Sequence, residues 1–288
     1  MHFVTFERAG SVRIGAVREG QYVDLHQTDS RIPASLKALL ALGADGLQLA
    51  TAAAEKGTAI DPAEVRLLAP IPDPGKVICI GLNYADHAAE TGAEIPSQPV
   101  VFCKFPTAVS AHGDAIVLPA SSSKVDYEAE LVVVIGQGGK HIPEASAMDH
   151  VAGYACGHDV SARDWQKGTP GGQWLLGKTF DTFAPFGPEM ITADEIADPG
   201  ALAIELRLNG QTMQKSSTSQ LIFSVPQLIA HVSSVCTLEP GDVIFTGTPP
   251  GVGAARKPPI FLQPGDVVEV EIEGLGLLRN PVEAEPAH

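Results

Sequence analysis

Short runs of alternating apolar and polar residues, separated by turns, open the chain and predict β-strands. Between residues 3 and 25, Ala-Gly and Glu-Gly turns divide such runs into about three strands of a small meander. Residues 34–56 instead carry alanines and leucines at helical spacing, and Gly43 and Gly57 are the expected helix stops. Together these elements predict a small N-terminal α/β module.

The C-terminal part of the chain predicts further strands and one well-marked helix. Residues 201–209 alternate cleanly, and Asn209-Gly210 predicts a tight hairpin turn. Residues 238–253 and 262–276 are predicted to pair as two strands, because a Pro-Gly-Asp turn precedes each β-rich run. The helix is predicted over Ser224–Val235 and is capped by its serine. Its predicted inner face consists of Val225, Leu228, Ile229, Val232 and Val235.

A Pro-rich segment over residues 67–76 begins extended and separates the first module from the rest of the chain. We therefore predict an N-terminal module over residues 1–70, a main domain over residues 71–282 and a short tail over residues 283–288. A length of 288 residues suits one large domain with a small appendage.

The central stretch Val125–Gly136 reads VDYEAELVVVIG, a strand that is acidic in its first half and apolar in its second. Because side chains alternate along a strand, Asp126, Glu128 and Glu130 are expected on one face, with the two glutamates about 7 Å apart. Two like charges at the mouth of a buried strand repel each other unless a cation neutralises them. A divalent metal site and a solvated acidic edge are therefore both consistent with this stretch.

A short predicted helix after residue 81 carries a histidine and a glutamate three positions apart. Asn83 is its expected N-cap and Gly92 its expected end. His87 and Glu90 then share one helical face, where the carboxylate can orient the imidazole as a general base. The alternative is a surface ion pair on a solvated helix. Flanking glycines would also allow the helix to move as a lid.

Three further segments carry polar groups that could reach the same place. Asp159 follows a small-residue strand and is a candidate third acid. Gln166–Gln173 is polar and Gly-rich and predicts a second mobile loop. Lys178 follows an apolar pair, so it is either partly buried and aimed at an anion or a snorkelling surface lysine. The Gly/Pro loop over residues 247–253 offers backbone amides and the Thr248 hydroxyl to an oxyanion or carboxylate.

Charge and composition exclude several classes of protein. The formal net charge of −15 argues against a general nucleic-acid or anionic-membrane surface. No apolar run approaches the ~20 residues of a membrane helix, and no signal peptide is recognised. The four cysteines lie far apart without a CxxC motif, so we expect free thiols in a reducing compartment. These features predict a cytoplasmic protein.

Five motifs in a fixed order give the chain a specific resemblance. DYEAEL, GHDVSARD, LGKTF, STSQLIFSVPQLI and EPGDVIFTGTPPGVG follow one another between about residues 75 and 282. This set resembles the fumarylacetoacetate hydrolase family, and the N-terminal module is similar to the short one of its bacterial members. The resemblance implies a mixed α+β, β-rich fold, a β-sandwich roll with flanking helices, and assembly as a homodimer.

The same resemblance implies a role for individual residues. The implied ligands hold Mg²⁺, or alternatively Mn²⁺ or Ca²⁺. In the GLNYADH segment the family's fourth acid is missing, so Asn83 and Asp86 are not expected to be ligands. Asp126, on the acidic strand, is interpreted as a supporting or solvated acid. The implied metal ligands are Glu128, Glu130 and Asp159, the catalytic groups are His87, Glu90 and Lys178, and the substrate-binding groups are Arg163, Gln166 and Thr248.

The implied activity is Mg²⁺-dependent hydrolysis of a carbon–carbon bond in 2,4-dioxo acids such as acylpyruvates. His87 would activate water, and pyruvate would leave as a metal-bound enolate while Lys178 adds positive charge. The alternatives within the family are oxaloacetate decarboxylation, the isomerase or decarboxylase chemistry of aromatic catabolism, and ureidoglycolate cleavage. Outside enzymes, the alternative is a non-catalytic divalent-metal scaffold. Small 2-oxo acids are the expected partners, with neither nucleic acid nor membrane.

Overall fold

The computed structural model describes residues 1–168 and 172–286, which form seven α-helices and nineteen strands. Within these residues no helix has the length and apolar character needed to cross a membrane. The predicted mixed α+β, β-rich fold is confirmed. The helices are α1 (Leu25–Thr28), α2 (Leu36–Leu40), α3 (Gly43–Lys56), α4 (Ala85–Thr91), α5 (Arg163–Gly168), α6 (Trp174–Lys178) and α7 (Val225–Val235).

The strands fall into a large sheet, a smaller one and a two-stranded pair. In chain order they are β1 (His2–Arg8), β2 (Ser11–Arg18), β3 (Gln21–Asp24), β4 (Ala59–Ile60), β5 (Arg66–Leu68), β6 (Val77–Gly81), β7 (Val100–Lys104), β8 (Val109–Ser110), β9 (Ile116–Leu118), β10 (Val125–Asp126), β11 (Ala129–Ile135), β12 (Val151–His158), β13 (Ser161–Ala162), β14 (Ala184–Thr192), β15 (Ala203–Leu208), β16 (Gln211–Ser217), β17 (Val243–Phe245), β18 (Val267–Ile272) and β19 (Gly276–Ala284).

The large sheet runs through both predicted domains. Its order is β4-β3-β2-β1-β14-β12-β11-β17-β6-β7, with β5 also on β1 and β8 on β14. The predicted N-terminal meander is confirmed as β1, β2 and β3, all antiparallel. β1 also pairs with β14, placing Phe3 opposite Met190, so the sheet is continuous across residue 70. The division of the chain into domains stays a prediction.

β11 lies at the centre of the large sheet and is buried along its whole length. Leu131, Val133 and Ile135 pack into one hydrophobic core, whereas Val132 and Val134 pack into a second core on the other face. From Leu131 to Ile135 the strand is packed on both faces and apolar at every position, as the continuous apolar run predicts. The stretch Val125–Gly136, predicted as one strand, is divided in the structure. β10 ends at Asp126, residues 127–128 are not in a strand, and β11 begins at Ala129.

Local signals predicted the C-terminal elements well. The hairpin between β15 and β16 turns at Asn209 and Gly210, whose φ angles are 53° and 78°. Ser224 caps α7, and its backbone N–H donates to Gln227 Oε1 at 2.9 Å, completing a capping box. The predicted inner face is wrong at Val235, which is 77% exposed because it lies in the last turn, beyond the packed part of the helix.

The two Pro-Gly-Asp segments enter their strands by the same turn, as predicted. Glu239 N–H donates to Asp242 Oδ2, and Gln263 N–H donates to Asp266 Oδ2, each at 2.8 Å. Their predicted pairing with each other is wrong. β17 is apolar on both faces and pairs with β11 and β6 inside the large sheet. β18 alternates and is half-buried, and it lies in the outer sheet of order β16-β15-β18-β19-β9.

Candidate metal centre and catalytic cavity

Three buried carboxylates meet where β11 begins and β12 ends. Glu128 precedes β11, Glu130 lies within it, and Asp159 follows β12. The antiparallel pairing sets Glu130 opposite Gly157, and Asp159 N–H donates to Glu128 O at 2.9 Å. One oxygen from each carboxylate lies within 4.8 Å of the other two. The structure therefore brings together the three predicted ligands, with the hard oxygen donors that Mg²⁺ and Mn²⁺ prefer.

Two of these acids are already paired with cations. Lys178 Nζ lies 2.7 Å from both Glu128 Oε2 and Asp159 Oδ2, and Arg163 Nη2 lies 2.6 Å from Glu128 Oε1. Burial alone would raise the pKa of Glu128, but the charges of Lys178 and Arg163 outweigh it and hold that pKa below its ordinary range. Burial alone would likewise lower the pKa of Lys178, but Asp159 and Glu128 raise it, so Lys178 is an ammonium ion.

Glu130 has a different environment from the other two acids. It is 1% exposed and accepts the Gly247 N–H at 2.8 Å, but no Lys, Arg or His of the described residues pairs with it. Burial, then the nearby charges of Asp159 and Glu128, raise the pKa of Glu130 well above its usual value. A buried carboxylate beside two others, without a cation of its own, is the environment that a divalent metal would stabilise. The residues present therefore fit the implied ion.

Lys104, which the sequence analysis missed, completes the charged cluster from β7. Its Nζ is buried and donates to the carbonyl oxygens of Val160 at 3.0 Å, Phe183 at 2.7 Å and Lys178. It also lies 2.6 Å from Asp159 Oδ1, an ion pair whose angles fall outside those of a hydrogen bond. The sequence pattern does not mark Lys104 as buried, because the rest of its strand is largely exposed. Its role is visible only in the folded structure.

Asp126 ties the acidic cluster to the Gly/Pro loop. Its carboxylate accepts the N–H groups of Gly253 at 2.7 Å and Ala254 at 3.0 Å, and Arg163 Nε at 2.8 Å. Arg163 in turn donates to Gln166 Oε1 at 3.0 Å. Asp126 was expected to be either a supporting or a solvated acid. The structure agrees with the supporting role, and the solvated alternative is wrong because Asp126 is fully buried with this set of donors. It supports the cluster through Arg163, which also contacts Glu128.

The predicted histidine–glutamate pair forms on α4. His87 Nδ1 lies 3.0 Å from Glu90 Oε2, and Gly92 ends the helix in the left-handed region. The helix cap is Tyr84, not Asn83 as predicted. Asn83 is fully buried and instead links two distant segments: its amide donates to Thr246 O at 2.7 Å and accepts from Phe223 N–H at 2.8 Å.

Gln214 on β16 orients the side chain of Thr248. Like Lys104, Gln214 was not predicted from the sequence. The Gln214 side chain accepts the Ala129 N–H at 2.8 Å and donates to Thr248 Oγ1 at 2.9 Å and Pro249 O at 2.8 Å. Turning the amide over would set an oxygen against Pro249 O and an NH₂ against the Ala129 N–H, so its orientation is fixed. Because Thr248 Oγ1 accepts from Gln214, its proton is available to an acceptor in the cavity.

The three acids, His87 and Thr248 line one cavity of about 330 Å³. Gln166 is buried within α5, so the predicted loop over Gln166–Gln173 is wrong at its start; residues 169–171 lie outside the described part of the chain. Trp174 closes one wall, packing so near Gly81 that a Cβ there would lie 2.6 Å from its ring. The lining includes His87, Glu128, Glu130, Asp159, Arg163, Gln166, Lys167, Trp174, Lys178 and Thr248.

The chain is similar to proteins of known families along nearly its whole length. Residues 76–283 match the family model described as fumarylacetoacetate (FAA) hydrolase C-terminal. The mitochondrial oxaloacetate tautomerase fahd2 of Xenopus laevis is 48% identical over 287 residues, which cover 98% of this chain and 90% of that protein.

Two solved structures are similar at lower sequence identity. Fumarylacetoacetate hydrolase from Exiguobacterium antarcticum has a TM-score of 0.88 and 38% identity, covering 99% of this chain and 100% of that one. Maleylpyruvate hydrolase from Sphingobium sp. SYK-6, in complex with manganese(II) and pyruvate, has a TM-score of 0.83 and 32% identity, with the same coverage.

Proposed function

The chain belongs to the fumarylacetoacetate hydrolase family, and we propose that it is a divalent-metal-dependent enzyme that interconverts the enol and keto forms of oxaloacetate or a closely related 2-oxo acid. One observation carries the proposal: a carboxylate triad with oxygens within 4.8 Å shares its cavity with a histidine whose Nδ1 is held by a carboxylate at 3.0 Å. Charge stabilisation and proton transfer at adjacent atoms are what enolisation requires.

His87 is the proposed base and acid. A carboxylate at Nδ1 fixes the tautomer with the proton on that nitrogen and leaves Nε2 with a lone pair. In the direction from keto to enol, Nε2 takes a proton from C3. The C3–H electron pair forms the C2=C3 double bond, and the 2-oxo oxygen receives the electrons of the carbonyl π bond. Return of the proton to that oxygen gives the enol, and the reverse path gives the keto form.

The other residues of the cavity position the substrate. Lys178 brings a permanent positive charge beside Glu128 and Asp159, which favours negative charge on the 2-oxo oxygen. Thr248 offers its proton to the carboxylate at C1. Arg163 and Gln166, joined at 3.0 Å, hold the wall of the cavity next to Glu128.

Glu128, Glu130 and Asp159 would hold the metal, for which we propose Mg²⁺, with Mn²⁺ as the substitute. When bound, the ion supplies Lewis-acid stabilisation of charge at the 2-oxo group. The presence of manganese(II) and pyruvate in the maleylpyruvate hydrolase complex supports a site of this kind.

Carbon–carbon hydrolysis of 2,4-dioxo acids, our principal expectation from the sequence, becomes the second candidate. The 32% identity to a maleylpyruvate hydrolase, and a histidine–glutamate pair able to activate water, favour it. The 48% identity to an oxaloacetate tautomerase over 98% of the chain gives more support to the alternative of an enzyme acting on oxaloacetate. Homodimer formation and the cytoplasmic location stay predictions, and the Xenopus relative is described as mitochondrial.

One assay separates these candidates. The enol of oxaloacetate absorbs ultraviolet light, so its conversion to the keto form is followed directly, while a lactate dehydrogenase couple reports any pyruvate released. We expect Mg²⁺ to accelerate loss of the enol without release of pyruvate, and EDTA to abolish the acceleration. Faster release of pyruvate from acylpyruvates or maleylpyruvate would favour the hydrolase, and release of pyruvate from oxaloacetate would favour a decarboxylase. Metal binding without turnover of any of these substrates would favour the non-catalytic divalent-metal scaffold.

A further inference from the structure

Lys167 differs from the other cations of the cavity in having no acidic partner. It lines the cavity on α5, and its ammonium group forms neither an ion pair nor a hydrogen bond with residues 1–168 or 172–286. Lys178 contacts Glu128 and Asp159, and Arg163 contacts Asp126 and Glu128. Lys167 is therefore the one lysine or arginine of the described lining that is free to meet an anion from solution.

The position of Lys167 on α5 sets how far this anion lies from the metal centre. Lys167 is four residues after Arg163, so the two side chains share one face of the helix. Four residues advance a helix by about 6 Å. Arg163 reaches the carboxylate of Glu128, so Lys167 stands about one turn further along the cavity wall. That spacing is on the scale of a four- or five-carbon acid with a charged group at each end.

The charge balance of the cavity gives an independent reason for a second cation. Asp126, Glu128, Glu130 and Asp159 face Lys104, Lys178 and Arg163, and a divalent ion at the triad leaves about one positive charge in excess. One carboxylate neutralises that excess. A second carboxylate on the same ligand needs its own cation, and among the lysines and arginines of the described lining Lys167 is the unpaired one.

We propose that Lys167 forms a subsite for the second carboxylate of a dicarboxylic 2-oxo acid. The proposal rests on the proposed function for the chemistry at the triad and adds the residue that recognises the distal carboxylate of the substrate. It makes Lys167 a specificity-determining residue, which acts on binding of the distal end of the substrate and not on proton transfer.

A matched pair of ligands tests this subsite without turnover. Malate and lactate share a 2-hydroxy acid end, and malate alone carries a second carboxylate. Calorimetric titration of the Mg²⁺-loaded protein is expected to show tighter binding of malate. Lys167→Gln should weaken malate binding roughly five- to tenfold, as for a partly exposed ion pair, and leave lactate unchanged. Lys167→Glu should weaken malate binding further. Lys56→Gln, an exposed lysine on α3, should change neither ligand.

Kinetics with oxaloacetate and its 4-methyl ester provide the second readout. Lys167→Gln should lower kcat/KM for oxaloacetate by a similar factor, mainly through KM, and leave the ester unchanged. Equal effects on both members of either pair, or no preference of the wild-type protein for malate, would overturn the subsite. Absence of turnover of both substrates by the wild-type protein would overturn the proposed function, while the malate and lactate titrations would still decide the role of Lys167.

Discussion

Gly251 donates its backbone N–H to the carboxylate of Glu90, at 3.0 Å from Oε1 and 3.2 Å from Oε2. Glu90 is thereby shared between α4, where it faces His87, and the Gly/Pro loop. Gly251 has a φ of 104°, and a Cβ there would lie 2.2 Å from Met213 O, so the close approach depends on glycine. The orientation of the proposed base is therefore set by a loop distant in sequence as well as by its own helix.

Glu90→Gln should lower turnover by about 10²–10⁴-fold, although the side chain keeps its shape. With its oxygen on the Gly251 N–H, the new amide presents an NH₂ to His87 Nδ1. His87 must then accept at Nδ1 and carry its proton on Nε2, which is the wrong tautomer for a base. Steady-state kinetics check this, and Glu94→Gln, an exposed acid just beyond α4, serves as control. Near-normal turnover of Glu90→Gln would show that Glu90 does not orient the base.

His87→Ala should lower turnover by about 10²–10⁴-fold and leave metal affinity near normal. His87 lines the cavity, but no hydrogen bond or ion pair of the described residues joins it to the three acids. Glu128 and Asp159 keep their cations, and Glu130 keeps its backbone donor. Turnover and calorimetric titration with Mg²⁺ on the same preparation separate the two effects. Wild-type turnover in this variant would rule out His87 as the base.

Glu130→Gln and Glu128→Gln should have opposite effects on the metal-free protein. Glu130 has no cation and lies among like charges, so neutralising it relieves repulsion and should raise Tm in EDTA. Glu128 is paired with Lys178 and Arg163, so neutralising it leaves buried positive charge and should cost about 3–5 kcal/mol. Both changes should reduce the rise of Tm produced by Mg²⁺. A fall of Tm for metal-free Glu130→Gln would contradict the assignment of Glu130 as the unneutralised ligand.

Local signals in the sequence predicted the features that depend on a few neighbouring residues. The hairpin at Asn209-Gly210, the helix capped by Ser224 and the His87–Glu90 pair all rest on contacts within four positions. The acids Glu128 and Glu130 were found because a charged residue at the start of a buried strand is unusual.

Features that depend on strand order could not be read from the sequence. Lys104 on β7 reaches Asp159, which follows β12, and Gln214 on β16 reaches Thr248, which follows β17. In neither pair are the two strands hydrogen-bonded neighbours. Asn83 was given a local role as a cap, although its amide joins backbone groups more than a hundred residues away. A polar side chain with a long-range partner looks the same in sequence as one facing solvent.

Gln214→Met should weaken carboxylate binding by removing the donor that turns the Thr248 proton into the cavity. Methionine fills a similar volume but gives Thr248 Oγ1 no hydrogen bond, so the hydroxyl is free to rotate. We expect KM to rise more than kcat falls. Thr248→Val should raise KM at least as much, and adding Gln214→Met to it should raise KM little further, because Gln214 acts on the substrate through the Thr248 hydroxyl. The bonds of Gln214 to Ala129 and Pro249 are lost as well, and their loss should lower Tm, not raise KM. Additive losses in the double variant would mean that Gln214 acts elsewhere.

His158 should make the metal-free protein less stable as the pH falls below about 6.5. It ends β12 with 1% exposure, and its Nε2 has no hydrogen-bond partner among the described residues. Burial, then the charge of Lys104, lowers the pKa of His158 from 6.5 to about 3. Between these values the unfolded chain holds a proton that the folded protein does not, so the free energy of unfolding decreases by up to about 1.4 kcal/mol per pH unit as the pH falls. Above about pH 6.5 the contribution is constant.

The raised pKa of Glu130 acts in the opposite direction, but it is common to the wild-type protein and to His158→Gln and cancels in their difference. Urea unfolding of both proteins in EDTA at pH 7.5 and 5.5 therefore isolates the histidine. We expect the wild-type protein to lose more stability than His158→Gln over this interval, and equal losses would mean that His158 does not stay neutral in the folded protein.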